Sequence, residues 1–189
     1  METLTPAARR VLEVAGELFY AKGIHAVGVD SIAAAAGVTK KTLYDRFGSK
    51  DALVGEYLNR RDERWREHVR AVLARSPRVA PGRKPLLVFD ALAEWMAEEN
   101  WRGCGFVNAH AELPDGDHPG RRAIRAQKEW MLGCFRELVT GMRNPGRLAE
   151  SLFVLFEGAT VAASLGVVPD AVANAKRLAR QLLEDASAG

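Results

Sequence analysis

The chain of 189 residues lacks several features that would have placed it at once. It has two cysteines, Cys104 and Cys134, with no CxxC motif and no metal-ligand spacing, which argues against a disulfide framework or a thiolate metal site. Period-two alternation is scarce, so strand-rich folds drop out. No apolar run reaches the ~18 uninterrupted residues of a membrane helix. The most apolar stretch, SLFVLFEGATVAASLGVV, is broken by Glu157 and by small or hydroxylated residues. The opening METLTPAARRVLEVAG carries Glu2, Arg9, Arg10 and Glu13 and has no signal-peptide core. The expectation is a cytoplasmic protein with no membrane partner. Also missing are a glycine-rich phosphate loop, a telling Ser/His/Asp or Cys/His arrangement and a convincing carboxylate pair, which leaves a helical enzyme or small-molecule carrier as a distant alternative.

What is present is an ordinary globular composition, 48% hydrophobic and 27% charged, with a net charge of only +3. Such a balance permits a nucleic-acid partner without requiring one. A local cluster of charge has to make that case.

Helical periodicity recurs along the whole chain, and it predicts an all-α fold. Val11, Leu12, Ala15, Leu18 and Phe19 share one stripe of a first helix, with Pro6 in its first turn and Gly23 at its stop. A second helix is expected over residues 30–36, ended by Gly37, and a third over 40–47, capped by Thr39 and stopped by Gly48. Ser49 caps a long fourth helix reaching to about residue 75. Residues 76–85, SPRVAPGRKP, form a linker. Five further helical segments are expected near 85–100, 103–113, 119–142, 145–166 and 170–186. The expected organisation is a three-helix head over residues 1–50, then a C-terminal bundle over 51–189 entered through the long connector helix.

The second and third helices, joined tightly at Gly37, form a helix-turn-helix. Ile32, Ala33, Ala36, Val38, Leu43 and Phe47 are expected inside. Thr39, Lys40, Lys41, Thr42, Tyr44 and Arg46 are then left facing out, opposed within the short helix only by Asp45. The second helix of this motif presents its N-terminal residues to base edges in the major groove. Lys40 and Lys41 suit guanine acceptors, and a threonine methyl suits thymine. Thr42, Tyr44 and Lys50 suit phosphates, with Lys50 at the start of the fourth helix.

The stretch AGELFYAKGIHAVGVDSIAAAAGVTKKTLYDRFGSKDAL resembles the DNA-binding domain of the TetR (tetracycline-repressor-like) family of bacterial regulators. The landmarks are Phe19 and Gly23, the block Ile32 to Val38, the run Thr39 to Phe47, and the cap Ser49–Lys50. The resemblance implies a homodimer on a near-palindromic double-stranded operator, usually a repressor, with a small-molecule effector in the C-terminal bundle. It implies base or adjacent-backbone contacts for Thr39, Lys40, Lys41 and Tyr44, and phosphate contacts for Thr42 and Lys50. Arg46 stands where many members have histidine, and Gly28 where many have a hydroxyl.

In the bundle, Phe89, Trp95, Met96, Trp101, Phe106, Trp130, Met131, Phe135, Phe153 and Phe156 can fill the core or line a cavity. Trp95, Phe106, His110, Trp130, Phe135 and Phe156 are the candidate ligand contacts, with His110 placed on the stripe of Phe106. Glu112, Asp115, Asp117 and His118 lie in an interrupted loop that favours solvent exposure over a metal, with Asp117 or His118 capping the next helix. No metal or cofactor is expected. Phe153, Leu155, Ala162, Leu165, Leu178 and Leu182 are the candidate dimer contacts in a four-helix interface. A transcriptional activator, or a thiol sensor using Cys104 or Cys134, are alternatives on the same scaffold.

Overall fold

The computed structural model describes residues 5–99, 102–114 and 116–187. Trp101 and Asp115, considered above, lie outside the described residues. Among the described residues every regular element is helical, as the periodicity predicts. The elements are α1 (Pro6–Lys22), α2 (Val29–Ala36), α3 (Lys40–Phe47), α4 (Lys50–Ala74), α5 (Pro85–Glu98), α6 (Gly105–Glu112), α7 (Pro119–Leu138), α8 (Pro145–Leu165) and α9 (Ala171–Ser187). A single 3-10 turn, Pro81–Arg83, sits in the expected linker.

The chain divides into two compact units. The first holds Met1–Glu63 with Gly105–Ala126, and the second holds Arg64–Cys104 with Gln127–Gly189. The first therefore includes α6 and the start of α7, which a single cut at residue 50 does not.

In the first unit the local signals set the helix ends. The Thr5 hydroxyl accepts the Ala8 N–H at 3.3 Å, and Pro6 opens α1, where a missing N–H costs nothing. α2 has no side-chain cap, because Gly28 occupies that position. Gly37 ends α2 in the left-handed region (φ 68°), and Val38 N–H reaches back to the Ala33 carbonyl at 3.0 Å. That closed end sets the tight turn into α3. Thr39 then caps α3 by accepting the Thr42 N–H at 3.0 Å, and Ser49 caps α4 by accepting the Ala52 N–H at 3.0 Å. The core of the unit joins Val11, Ala15 and Phe19 of α1, Ile32 and Ala33 of α2, Leu43 of α3 and Leu53, Val54 and Leu58 of α4, all buried. Ala36, Val38 and Phe47, expected inside, are half-buried instead.

The second unit is built on a cluster of aromatic and aliphatic side chains. Trp65, Phe89, Trp95, Phe135 and Phe156 are all buried in it, with Val69, Leu92, Met131, Leu152 and Ala179. α8 gives it Leu148, Ala149, Leu152, Phe156 and Ala159. α8 is also long and apolar enough to cross a membrane by length and composition alone, although Glu157 interrupts its apolar run. Its apolarity serves two faces, one in the core and one exposed at Val154, Val161 and Leu165.

Candidate nucleic-acid interface

The expected reading surface is assembled by α2, the turn at Gly37 and α3. Leu43 is 0% exposed and anchors α3 to the head, so the remaining faces of this short helix point outward. Thr39, Lys40, Lys41, Tyr44 and Arg46 are exposed, while Thr42 is half-buried. The hydroxyls of Thr39 and Thr42 lie 2.8 Å apart, so one donates to the other. Tyr44 is 40% exposed.

The two lysines are not free cations. The Lys40 ammonium engages both carboxylate oxygens of Asp30, at 3.0 and 3.1 Å. The hydrogen bond and charge of Asp30 raise the Lys40 pKa. Lys41 donates to Asp45 one helical turn on, at 2.7 Å. The i,i+4 pair was legible from spacing. The Asp30 pair was not, because it bridges two helices across the turn.

Lys50, the expected phosphate contact, stands at the start of α4. It is half-buried and donates to the Ile24 carbonyl at 2.7 Å, closing the loop between α1 and α2. That bond uses one of the three ammonium donors.

The same unit holds a second set of polar links to the head. Glu112, at the end of α6, accepts the His25 N–H at 2.8 Å and stands 3.6 Å from the His25 ring. His118 caps α7 by accepting the Gly120 N–H at 2.9 Å, and its other ring nitrogen is 3.4 Å from Asp51. Asp117 pairs with Arg122. Of the two residues expected to cap α7, His118 is the one that does so.

The candidate ligand residues divide between the two units. Phe106 and His110 belong to the first unit, and Trp95, Trp130, Phe135 and Phe156 to the second. His110 is exposed, with the Arg121 guanidinium 2.5 Å from its ring, so its placement on the Phe106 stripe is corrected. Phe106, Ala109 and Leu113 define the buried arc of α6, and His110, about 100° beyond Ala109, falls off its edge. Phe135 and Phe156 pack edge to face at 6.2 Å, and Trp65 meets Trp95 edge to face at 5.5 Å, so these rings fill the core. Trp130 is half-buried under the Arg66 guanidinium, 4.9 Å from its ring centre. A groove of about 350 Å³ lies elsewhere, lined by Gly82, Arg83, Leu86, Arg180, Leu183, Glu184 and Ser187.

Cys134 is buried, and burial pushes its thiol up to about 11. Cys104 is half-buried, 3.7 Å from the Lys128 ammonium, which itself pairs with Glu157 at 2.7 Å.

Of the candidate dimer residues, Leu165 and Leu178 are exposed (67% and 47%), while Phe153, Leu155, Ala162 and Leu182 are half-buried. Val154, at 68% exposed, belongs to the same apolar surface and was missed. Its spacing to Val161 and Leu165 was the available signal.

A helix-turn-helix presenting a polar, cation-bearing helix, in a chain whose other unit is a helical bundle, defines a DNA-binding regulator. The N-terminal residues 11–57 match the family of bacterial regulatory proteins of the tetR type. The fold matches SCO4454, a TetR-family transcriptional regulator from Streptomyces coelicolor, with a TM-score of 0.85 and 34% identity over 96% of each chain. It also matches the regulatory protein TetR from Rhodobacter sphaeroides, with a TM-score of 0.77 and 24% identity, over 94% of this chain and 99% of that one. The HTH-type transcriptional repressor DhaR of Mycobacterium sp. (strain GP1) is 26% identical over 164 residues, 82% of this chain and 81% of the relative. The chain belongs to the TetR family of transcriptional regulators.

Proposed function

We propose that the protein is a cytoplasmic repressor that binds a near-palindromic operator as a homodimer and is released by a small-molecule effector. The observation that carries this reading is the outward face of α3. Thr39, Lys40, Lys41, Tyr44 and Arg46 are all exposed on a short helix anchored by fully buried Leu43. That surface supplies base-edge donors and phosphate partners together. The similarity to a repressor supports repression over activation. The exposed apolar residues of α8 and α9 support a second copy as partner, since closed two-fold pairing would cover both surfaces at once.

The effector acts through the second unit. α4 is continuous from Lys50 to Ala74 and belongs to both units, which supports it as the element through which an effector is read. The effector must bind the released arrangement better than the DNA-bound one, or nothing shifts.

The test is binding of purified protein to the DNA upstream of its own gene, at two salt concentrations, beside Lys40→Ala/Lys41→Ala. A sequence-specific, salt-sensitive complex that the double variant loses is the expected result. Equal, weak binding of both proteins to any DNA would overturn the assignment of α3. Selection from a random DNA library covers an operator located elsewhere.

A further inference from the structure

Each lysine at the start of α3 is held by a carboxylate, and the two carboxylates sit differently. Asp45 lies on α3 itself, one turn from Lys41. Asp30 lies on α2, in its first turn, and reaches across the helix-turn-helix to Lys40 with both oxygens. Asp30 is 78% exposed and Lys40 52%. A pair so open to solvent contributes little to holding the fold. Its charge nevertheless stands on the face offered to DNA.

We propose that Asp30 is a specificity-determining residue of the reading head, acting through Lys40 to suppress indiscriminate phosphate binding. The inference rests on α3 being the DNA-reading helix. Non-specific affinity comes from cations that replace the counterions of the phosphates. A lysine already neutralised by a fixed carboxylate gives little of that gain, and the carboxylate repels a phosphate that approaches it. Base readout has different requirements. An ammonium has three N–H donors, and Asp30 occupies only part of that set while fixing where the head group lies. The donor capacity left over is oriented, which helps a directional bond to a neutral guanine O6 or N7 more than a diffuse attraction. Asp30 therefore lowers affinity for DNA in general more than affinity for the operator. α2 keeps the usual benefit of an acid at its N-terminus, so the residue also suits its helix.

The experiment compares wild type, Asp30→Asn, Lys40→Ala and the Asp30→Asn/Lys40→Ala double variant. Two probes are used: sonicated DNA of unrelated sequence, and a duplex selected by the wild-type protein from a random library. Each is titrated across 50–200 mM salt by fluorescence anisotropy, and thermal melting checks the fold. Asp30→Asn is expected to bind the unrelated DNA several-fold more tightly at low salt. Its log K against log salt plot should steepen by roughly 0.9 per head, the value of one added phosphate contact. The ratio of selected to unrelated affinity should fall by about tenfold, within the range of specificity ratios open to such proteins. On the Lys40→Ala background the same substitution should leave the slope unchanged.

An unchanged ratio in a folded Asp30→Asn protein would overturn the inference, as would a slope change that survives loss of Lys40. Equal weakening on both probes would overturn it too, by making the pair a structural strap. If the wild type selects no sequence, or Lys40→Ala/Lys41→Ala binds a selected one as well as wild type does, α3 is not the reader. That result removes the premise by a different readout.

Discussion

Glu112 and His25 are 87 residues apart in sequence, and the Glu112 carboxylate accepts the His25 backbone N–H at 2.8 Å. The bond ties the end of α6 to the loop that leads into the helix-turn-helix. Gly23 in the same loop has φ +90°, and a Cβ there would come within 3.0 Å of the Glu112 carboxylate. The carboxylate therefore fits a backbone that only glycine accommodates easily.

Glu112→Ala removes the acceptor and leaves the His25 N–H to solvent. The expected cost is about 1.5 kcal/mol, the low end of the range for a hydrogen bond to a charged group, since the bond is open to solvent. Glu112→Gln keeps an oxygen acceptor and should lose less. Denaturant melts of the three proteins check this order. Hydrogen exchange should show the loss at residues 23–28 first in Glu112→Ala, because that loop is what the carboxylate holds.

Gly55 of α4 is a second contact point within the same unit. A Cβ built there would stand 2.7 Å from the Pro119 Cβ and 3.3 Å from its carbonyl carbon. Neither atom belongs to a flexible side chain, so the helices must move apart. Gly55→Ala gains helix propensity of about 1 kcal/mol but meets an overpacking cost of about 1–3 kcal/mol. The expected net result is a lower Tm. A rise in Tm would mean that α4 and the start of α7 can separate freely at this point.

The contrast between Thr39 and Glu112 shows what the sequence made legible. Thr39, Gly37 and Ser49 act on neighbours within a few residues, so cap and turn chemistry found them, and α3 follows from its ends. Buried Leu43 followed from apolar spacing. Glu112–His25 and Asp30–Lys40 join different elements, and helical spacing reports only on a residue's own helix. α6 shows a second limit. It spans eight residues, about two turns, too few to fix the centre of its buried arc, so His110 was set inside when it faces out. The aromatic residues of the bundle were identified as apolar and large, but whether rings pack on each other or around a cavity depends on side-chain geometry that composition does not carry.

Lys128 and Glu157 form a partly buried pair in the second unit, with oxygen contacts at 2.7 and 2.8 Å and side chains 22% and 25% exposed. Removing one partner leaves the other charge poorly solvated. Lys128→Met alone is expected to cost about 1–3 kcal/mol, below the full penalty for a buried pair because a quarter of each side chain meets water. The double variant Lys128→Met/Glu157→Leu should recover most of that loss. Urea melts of the two single variants and the double variant give the coupling directly.

The two thiols should separate by chemistry and by pH. Cys134 is buried and its thiol is pushed up to about 11 by burial first and Glu137 second. Between about pH 9 and 11 the native form keeps a proton that the unfolded chain has released. The stability this supplies is complete below pH 9 and is lost as pH rises through 11. Wild type should therefore lose stability relative to Cys134→Ala over that window. At pH 8 a thiol reagent should modify Cys104 first, with Cys134 reacting only on unfolding. Prompt labelling of Cys134 in the folded protein would contradict its burial.

The exposed apolar stripe of α8 and α9 gives the last test. Val154, Leu165 and Leu178 are 68%, 67% and 47% exposed, and none is needed to fill the core of its own unit. Large apolar side chains left this open on two neighbouring helices are costly in water and suit an interaction site. If a second copy covers it, a charge placed there must be desolvated on pairing. Leu165→Asp should then be monomeric by light scattering while melting in denaturant as a folded protein, since the substituted side chain touches little within the monomer. Operator affinity should fall by about 100-fold or more, because one head must bind without the other's contacts. Affinity for unrelated DNA should fall less, since it depends on charge and not on the spacing of two half-sites. A dimeric Leu165→Asp with unchanged operator binding would move the interface off this stripe.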